Sequence, residues 1–191
     1  MLKRLKKKKE VEKGFTLVEM IIAIFIFSIV FGAASGLFVS AIKNQSRILA
    51  NQQLLDQTSY TIEYIGRAIR MAKKDIEGSC ISAKLNYATT TSGEGGIKFK
   101  NYLDQCQEFF RDCGGGVCKL RENKNGTVSD LTSPNLYVES FNVGHSDSWG
   151  QDDNLQPRVT LFSEIRKAGA GNQPKIKIQT TISQRQLDIQ Y

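Results

Sequence analysis

Residues 13–42 read KGFTLVEMIIAIFIFSIVFGAASGLFVSAI, and the rest of the chain is organised around this stretch. No residue from Met20 to Ile42 is charged. As a helix rising 1.5 Å per residue that segment is about 34 Å long, enough to cross a hydrocarbon core roughly 30 Å thick. Ahead of it, residues 1–14 carry Lys3, Arg4, Lys6, Lys7, Lys8, Lys9 and Lys13 against Glu10 and Glu12. Basic residues flanking a span stay on the cytoplasmic side, so residues beyond the span are expected outside.

Glu19 does not suit a plain anchor, because a carboxylate in an apolar helix costs up to a few kcal/mol toward the bilayer centre. A cut between Gly14 and Phe15 would resolve this. It gives Phe15 a free α-amine four residues before Glu19, on the same helix face and about 6 Å away along the axis. That amine, or one on a neighbouring subunit, is a partner for the carboxylate, and the helix dipole favours negative charge in the first turns.

Lys13-Gly14-Phe15-Thr16-Leu17-Val18-Glu19, followed by a long apolar helix, resembles the N-terminus of type IV prepilins and type II secretion pseudopilins. The resemblance implies cleavage after Gly14 by a prepilin peptidase, N-methylation of Phe15, and a role for Glu19 in registering subunits during assembly. It implies as partners the peptidase/methylase, other pilin or pseudopilin subunits, an inner-membrane assembly platform and, before assembly, membrane lipid. The implied fold is α+β, a long N-terminal helix packed on an antiparallel β-sheet head, in a single-pass inner-membrane protein with a cytoplasmic N-terminus and a periplasmic or extracellular head. Residues 66–72 and 156–159 resemble the minor, J- or W-type subunits that prime or cap a filament. Major pilins usually carry a proline in the helix where this chain has Gly32 and Gly36.

Two rival readings start from the same residues. Gly32 and Ala34 supply small residues for an ordinary secretory cut that would release a chain starting at Ser35. An uncleaved anchor explains the span and leaves Glu19 without a purpose. Either would make the protein a secreted or anchored β-rich binding head. Gly32-Ala33-Ala34-Ser35-Gly36 is also a G-x-x-x-G pattern that permits close helix approach.

No proline interrupts residues 43–74. Ile48, Leu55, Ile62 and Ile69 recur every seven residues, joined by Leu54, Ile65 and Ala72, which predicts that the helix continues to Lys74 with an apolar stripe against a sheet. A coiled-coil stalk is the competing interpretation, weakened by polar residues at the alternate seam positions. The expected organisation is therefore a leader (1–14), a span or filament-core helix (15–42), an amphipathic continuation (43–74) and a β-rich head (75–191). Within the head the predicted strands are 80–87, 96–103, 117–122, 127–131, 136–143, 159–165 and 175–182. Asn125-Gly126 marks a hairpin, Ile176, Ile178, Thr180 and Ile182 share one strand face, and residues 88–96 are expected to be a loop.

The formal charge of +7 would suit a nucleic-acid binder, but seven of the 26 basic residues lie in the leader with two of the 19 acidic ones. The remainder is nearly balanced, so no nucleic-acid partner is predicted. Cys80, Cys106, Cys113 and Cys118 allow two disulfides in three connectivities, with zinc and free thiols as alternatives. His145 is the only histidine, and no C-x-x-C pair accompanies it. No phosphate-binding loop or nucleophile elbow is present, and neither catalysis nor a cofactor is predicted. Asp147, Asp152 and Asp153 around Trp149 offer carboxylates to calcium, but their spacing matches no EF-hand, and no metal site is predicted. Trp149 is expected to be a packing residue.

Overall fold

In a computed structural model, residues 14–151, 153–169, 171 and 173–187 are described. Helix α1 runs from Leu17 to Arg70. It is followed by β1 (Ala88–Thr89), β2 (Glu94–Lys100), β3 (Cys106–Asp112), β4 (Lys119–Lys124), β5 (Thr127–Asp130), β6 (Leu136–Val143), β7 (Arg158–Lys167) and β8 (Lys175–Ser183), with 3-10 turns at Gly114–Gly116 and Ser146–Ser148. One long helix followed by antiparallel strands is the α+β architecture anticipated above. The chain divides into two compact units, the first ending at Arg47 and the second starting at Ile48.

In the first unit α1 is apolar and exposed, and it passes through Gly32 and Gly36 without a break. Its serines are internally satisfied: Ser28 and Ser35 each donate to the carbonyl four residues back, at 2.8 Å. Such bonds let a hydroxyl sit in apolar surroundings at little cost.

In the second unit the strands form two sheets where one was expected, a five-stranded sheet in the order β1-β2-β3-β4-β5 and a three-stranded sheet in the order β6-β7-β8. All pairings are antiparallel. The sheets are tied where Arg111 of β3 donates from Nε to the Val138 carbonyl at 2.9 Å and Val138 N–H donates to the Cys118 carbonyl at 2.9 Å. Gly95, in the left-handed region at φ +59°, forms a bulge in β2. A Cβ there would collide with the Phe141 carbonyl of β6, so glycine permits the close approach of the two sheets.

Leu54, Thr58, Thr61, Ile65 and Ile69 form the buried face of α1 at spacings of three and four, and Ala72 continues it. Leu54, Ile65, Ile69 and Ala72 meet Ile97, Phe99, Phe109, Leu120, Val138, Phe141, Leu161 and Ile165 in one core. Burying each large apolar side chain contributes about 1.5–3 kcal/mol. The seven-residue series fares differently. Ile69 is buried, whereas Ile48 and Leu55 are 54% and 50% exposed. On a 3.6-residue helix a heptad rotates by about 20° per repeat, so over three repeats the series drifts off the core face.

α1 stops at Arg70 rather than at Lys74, because Lys73 N–H bonds to the Lys100 carbonyl at 2.9 Å and draws the chain to β2. The end is closed from far along the sequence. Arg185 N–H bonds to the Arg70 carbonyl at 2.8 Å and Gln184 Nε2 to the Ala72 carbonyl at 2.9 Å. These contacts satisfy acceptors that a helix C-terminus otherwise leaves open.

Residues 80–87 form no strand. They wrap around the buried Asp75, whose carboxylate accepts from Gly78, Cys80 and Ile81 N–H at 3.1, 2.6 and 3.0 Å and from the Ser79 hydroxyl at 3.2 Å. A side-chain acceptor competes here with a strand ladder, and Lys84 turns the chain at φ +68°. Residues 88–96, expected as a loop, contribute the two-residue β1 and the start of β2. The hairpin is as anticipated: Lys124 pairs with Thr127 around Asn125 (φ +50°) and Gly126 (φ +89°).

Candidate functional site

Gly14, Phe15 and Thr16 precede α1 in non-helical conformation, and Phe15 is 79% exposed. Thr16 caps the helix: its Oγ1 accepts from Glu19 N–H at 3.3 Å, and its carbonyl accepts from Met20 N–H at 3.2 Å. Thr16-Leu17-Val18-Glu19 is thus a T-x-x-E sequence at a helix start, the capping-box pattern, with Glu19 in the first turn. The T-x-x-E spacing makes this cap legible in the sequence, a role for Thr16 that the leader motif by itself does not indicate. The Glu19 carboxylate has neither a hydrogen bond nor an ion pair among the described residues, and it is exposed like its apolar neighbours. The structure therefore places Gly14 and Phe15 on an accessible strand of backbone, and Glu19 one turn beyond it on an exposed apolar helix.

Residues 11–35 match the family model described as the prokaryotic N-terminal methylation motif. This is the leader motif of type IV prepilins and pseudopilins, and it supports a type IV pilin-like or pseudopilin-like subunit. Residues 11–13 of the match, like residues 1–10 before them, lie outside the described residues. No curated protein and no solved structure shows significant similarity to the chain. The leader motif, together with the one helix among the described residues that is long and apolar enough to cross a membrane, fits a single-pass membrane-anchored protein.

The four cysteines form two disulfides, Cys80–Cys106 and Cys113–Cys118. The first ties the loop after α1 to the start of β3. The second lies just past the Asp112–Lys119 register pair and closes the β3–β4 connection. No group of three His, Cys, Asp or Glu side chains capable of holding a metal occurs among the described residues. In the aspartate-rich loop, Asp153 Oδ1 accepts from Leu155 N–H at 2.9 Å and His145 Nδ1 from Asp147 N–H at 3.4 Å. Asp152 lies outside the described residues. Trp149 is fully buried edge-on to Tyr87 and donates from Nε1 to the Gly144 carbonyl at 2.8 Å, so it is a packing residue.

The head's perturbed ionisations belong to its packing. Burial is the largest single influence on Asp75 and pushes its carboxyl up, but the hydrogen bonds from Ile81, Cys80 and Ser79 together outweigh it and hold the group below its ordinary value of 3.8. Lys100 adds a cation at 3.7 Å. Burial, with Glu122 beside it, pushes the Tyr64 hydroxyl up to about 12, and that hydroxyl donates to Glu122 at 3.0 Å. Burial also raises Tyr87, whose hydroxyl donates to the Ile69 carbonyl at 3.0 Å. A concavity of about 580 Å3 is lined by Lys73, Lys100, Asp104 and Arg185, where Lys73 pairs with Asp104 at 2.9 Å and Lys100 with Asp75 at 3.7 Å.

Proposed function

We propose that this chain is a structural subunit of a type IV pilus or type II secretion pseudopilus, of the minor class that primes or caps the filament. A prepilin peptidase cuts it after Gly14 and the new terminus at Phe15 is N-methylated. The segment 15–42 holds the subunit in the inner membrane with its N-terminus cytoplasmic and residues 75–191 outside. An assembly platform then transfers it into a filament of other pilin or pseudopilin subunits, packed through the apolar helix.

The observation that carries this reading is Glu19. Within the matched motif it is a carboxylate in the first turn of an exposed apolar helix, without a partner among the described residues. Cleavage after Gly14 creates an amine four residues away, and in an assembled array each Glu19 can be neutralised by the amine of a neighbour. Pairing in low dielectric offsets the desolvation that otherwise makes an intramembrane carboxylate costly. An unpaired Glu19 is tolerable at the helix start and costly deeper in an apolar bundle. The same pairing therefore selects the register at which subunits pack.

The test is intact mass and N-terminal sequence of the membrane-extracted protein from its native host. A chain beginning at N-methylated Phe15 is the expected result. A chain beginning at Ser35, or an untouched Met1, overturns the assignment and leaves a secreted or anchored head.

A further inference from the structure

The two disulfides face opposite chemistry. Cys80 Sγ lies 3.4 Å from the Phe99 carbonyl oxygen, and Cys106 Sγ lies 3.9 Å from that of Ser79. A thiolate formed at either sulfur would meet the negative end of a carbonyl dipole. Cys118 Sγ instead lies 3.1 Å from Nη2 of Arg111 and 3.4 Å from the Tyr137 hydroxyl. Arg111 is fixed in place: its Nε donates to the Val138 carbonyl and its Nη1 pairs with Glu94. The Arg166 guanidinium stands 4.2 Å above the Tyr137 ring, which polarises that hydroxyl as a donor. The charge distribution also separates the two sulfurs of this bridge. Glu94 stands 3.9 Å from Cys113 Sγ, so negative charge is disfavoured at Cys113 and favoured at Cys118.

Access follows the same division. Cys118 is 5% exposed, whereas Cys113 is half-buried and adjoins the exposed run Gly114-Gly115-Gly116. In thiol–disulfide exchange the better-stabilised thiolate is the better leaving group, and a nearby guanidinium supplies that stabilisation.

We propose that Cys113–Cys118 is a thiol–disulfide exchange site that accepts electrons from a dithiol reductant, attacked at Cys113 with Cys118 as the leaving thiolate. One thiolate of the reductant bonds to Cys113 Sγ. The Cys113–Cys118 bond breaks, and its electron pair passes to Cys118 Sγ, held by Arg111 and Tyr137. The second thiol of the reductant then attacks the mixed disulfide and releases Cys113. Overall the protein disulfide gains two electrons, and the reductant is oxidised to its own disulfide. The head tolerates this step because β3 and β4 remain paired from Gln107–Lys124 through Asp112–Lys119, and the bridge spans only 5 positions against 26 for Cys80–Cys106. The exchange opens the glycine loop and leaves the other bridge in place.

Full-length protein in detergent, equilibrated in buffers of reduced and oxidised dithiothreitol, alkylated and mapped by peptide mass, tests the proposal. Cys113 and Cys118 are expected to be half-reduced at a reduced-to-oxidised ratio at least tenfold lower than Cys80 and Cys106, about 30 mV for this two-electron couple. Equal ratios or the reverse order overturn it. Arg111→Gln is expected to narrow the gap, and Tyr137→Phe, which leaves the contacts of Arg111 to Val138 and Glu94, to narrow it less. A gap unchanged in both overturns the thiolate-holding role. Should Arg111→Gln fail to fold, the pH profile of Cys118 alkylation in the reduced wild type decides. A midpoint below the ordinary thiol value of about 8.5 supports the site, and one at or above it overturns the site.

Discussion

At the scale of single residues, Glu19 and Asp75 show how surroundings give a carboxylate its role. Glu19 lacks a partner among the described residues. On the proposed reading Glu19→Ala leaves trimming after Gly14 intact and reduces incorporation into filaments at least tenfold, measured as the filament-to-membrane ratio of mature subunit. Normal incorporation would remove the assembly role. Gly14→Ala is expected to retain the longer precursor in the membrane, read directly from its mass. Asp75 is the opposite case, buried and met by three backbone N–H groups and a hydroxyl. Removing it leaves several buried donors without an acceptor, so Asp75→Ala should cost about 3 kcal/mol of head stability. Because its folded-state pKa is depressed, its contribution is fully present above the ordinary value of 3.8 and is lost as pH falls through the lower folded value. Trp149, the only tryptophan and fully buried, reports this. Denaturant midpoints by its fluorescence should fall with acid more steeply in the wild type than in Asp75→Ala.

At the scale of elements, helix α1 changes its surroundings along its length. Its N-terminal part is apolar and exposed, while from Leu54 onward it presents a narrow stripe to the head's core. The hairpin between β4 and β5 depends on positive φ at both loop positions. Gly126→Val, which places a β-branched residue at φ +89°, is expected to destabilise the head by about 1–2 kcal/mol, read by the same fluorescence titration. β3 shows why an element can be invisible to pattern. Its central residues are buried on both faces, and two of them are Gln107 and Glu108. Glu108 accepts from Thr90, Ser92 and Asn123, and Gln107 donates to Glu122. Polar residues can occupy a core strand only when distant partners satisfy them, and a local reading does not see those partners.

At the scale of the whole molecule, stability of the head rests on contacts between distant parts of the chain. Gln184 and Arg185 close the end of α1, and Cys80–Cys106 joins the loop after α1 to β3. By the entropy of loop closure, a bridge over 26 positions contributes about 3.5 kcal/mol and one over 5 about 2 kcal/mol. Replacing Cys80 and Cys106 by serine should therefore lower the unfolding free energy by roughly 1.5 kcal/mol more than replacing Cys113 and Cys118. Equal losses would show that denatured-state chain entropy does not govern the difference.

The sequence by itself determined the features that are local or periodic. These are the leader motif, the uncharged apolar segment, the Asn125-Gly126 hairpin, the β6 boundaries and the alternating face of β8, because each follows from hydrophobicity, backbone sterics or period. Only the tertiary structure decided the cysteine pairing, the division into two sheets, the wrapping of residues 80–87 around Asp75, the polar strand β3 and the helix face that meets the core. Each of these depends on which groups far apart in sequence come together to satisfy a buried donor, acceptor or sulfur. Periodicity describes one element at a time, whereas satisfaction of buried groups is a property of the assembled fold.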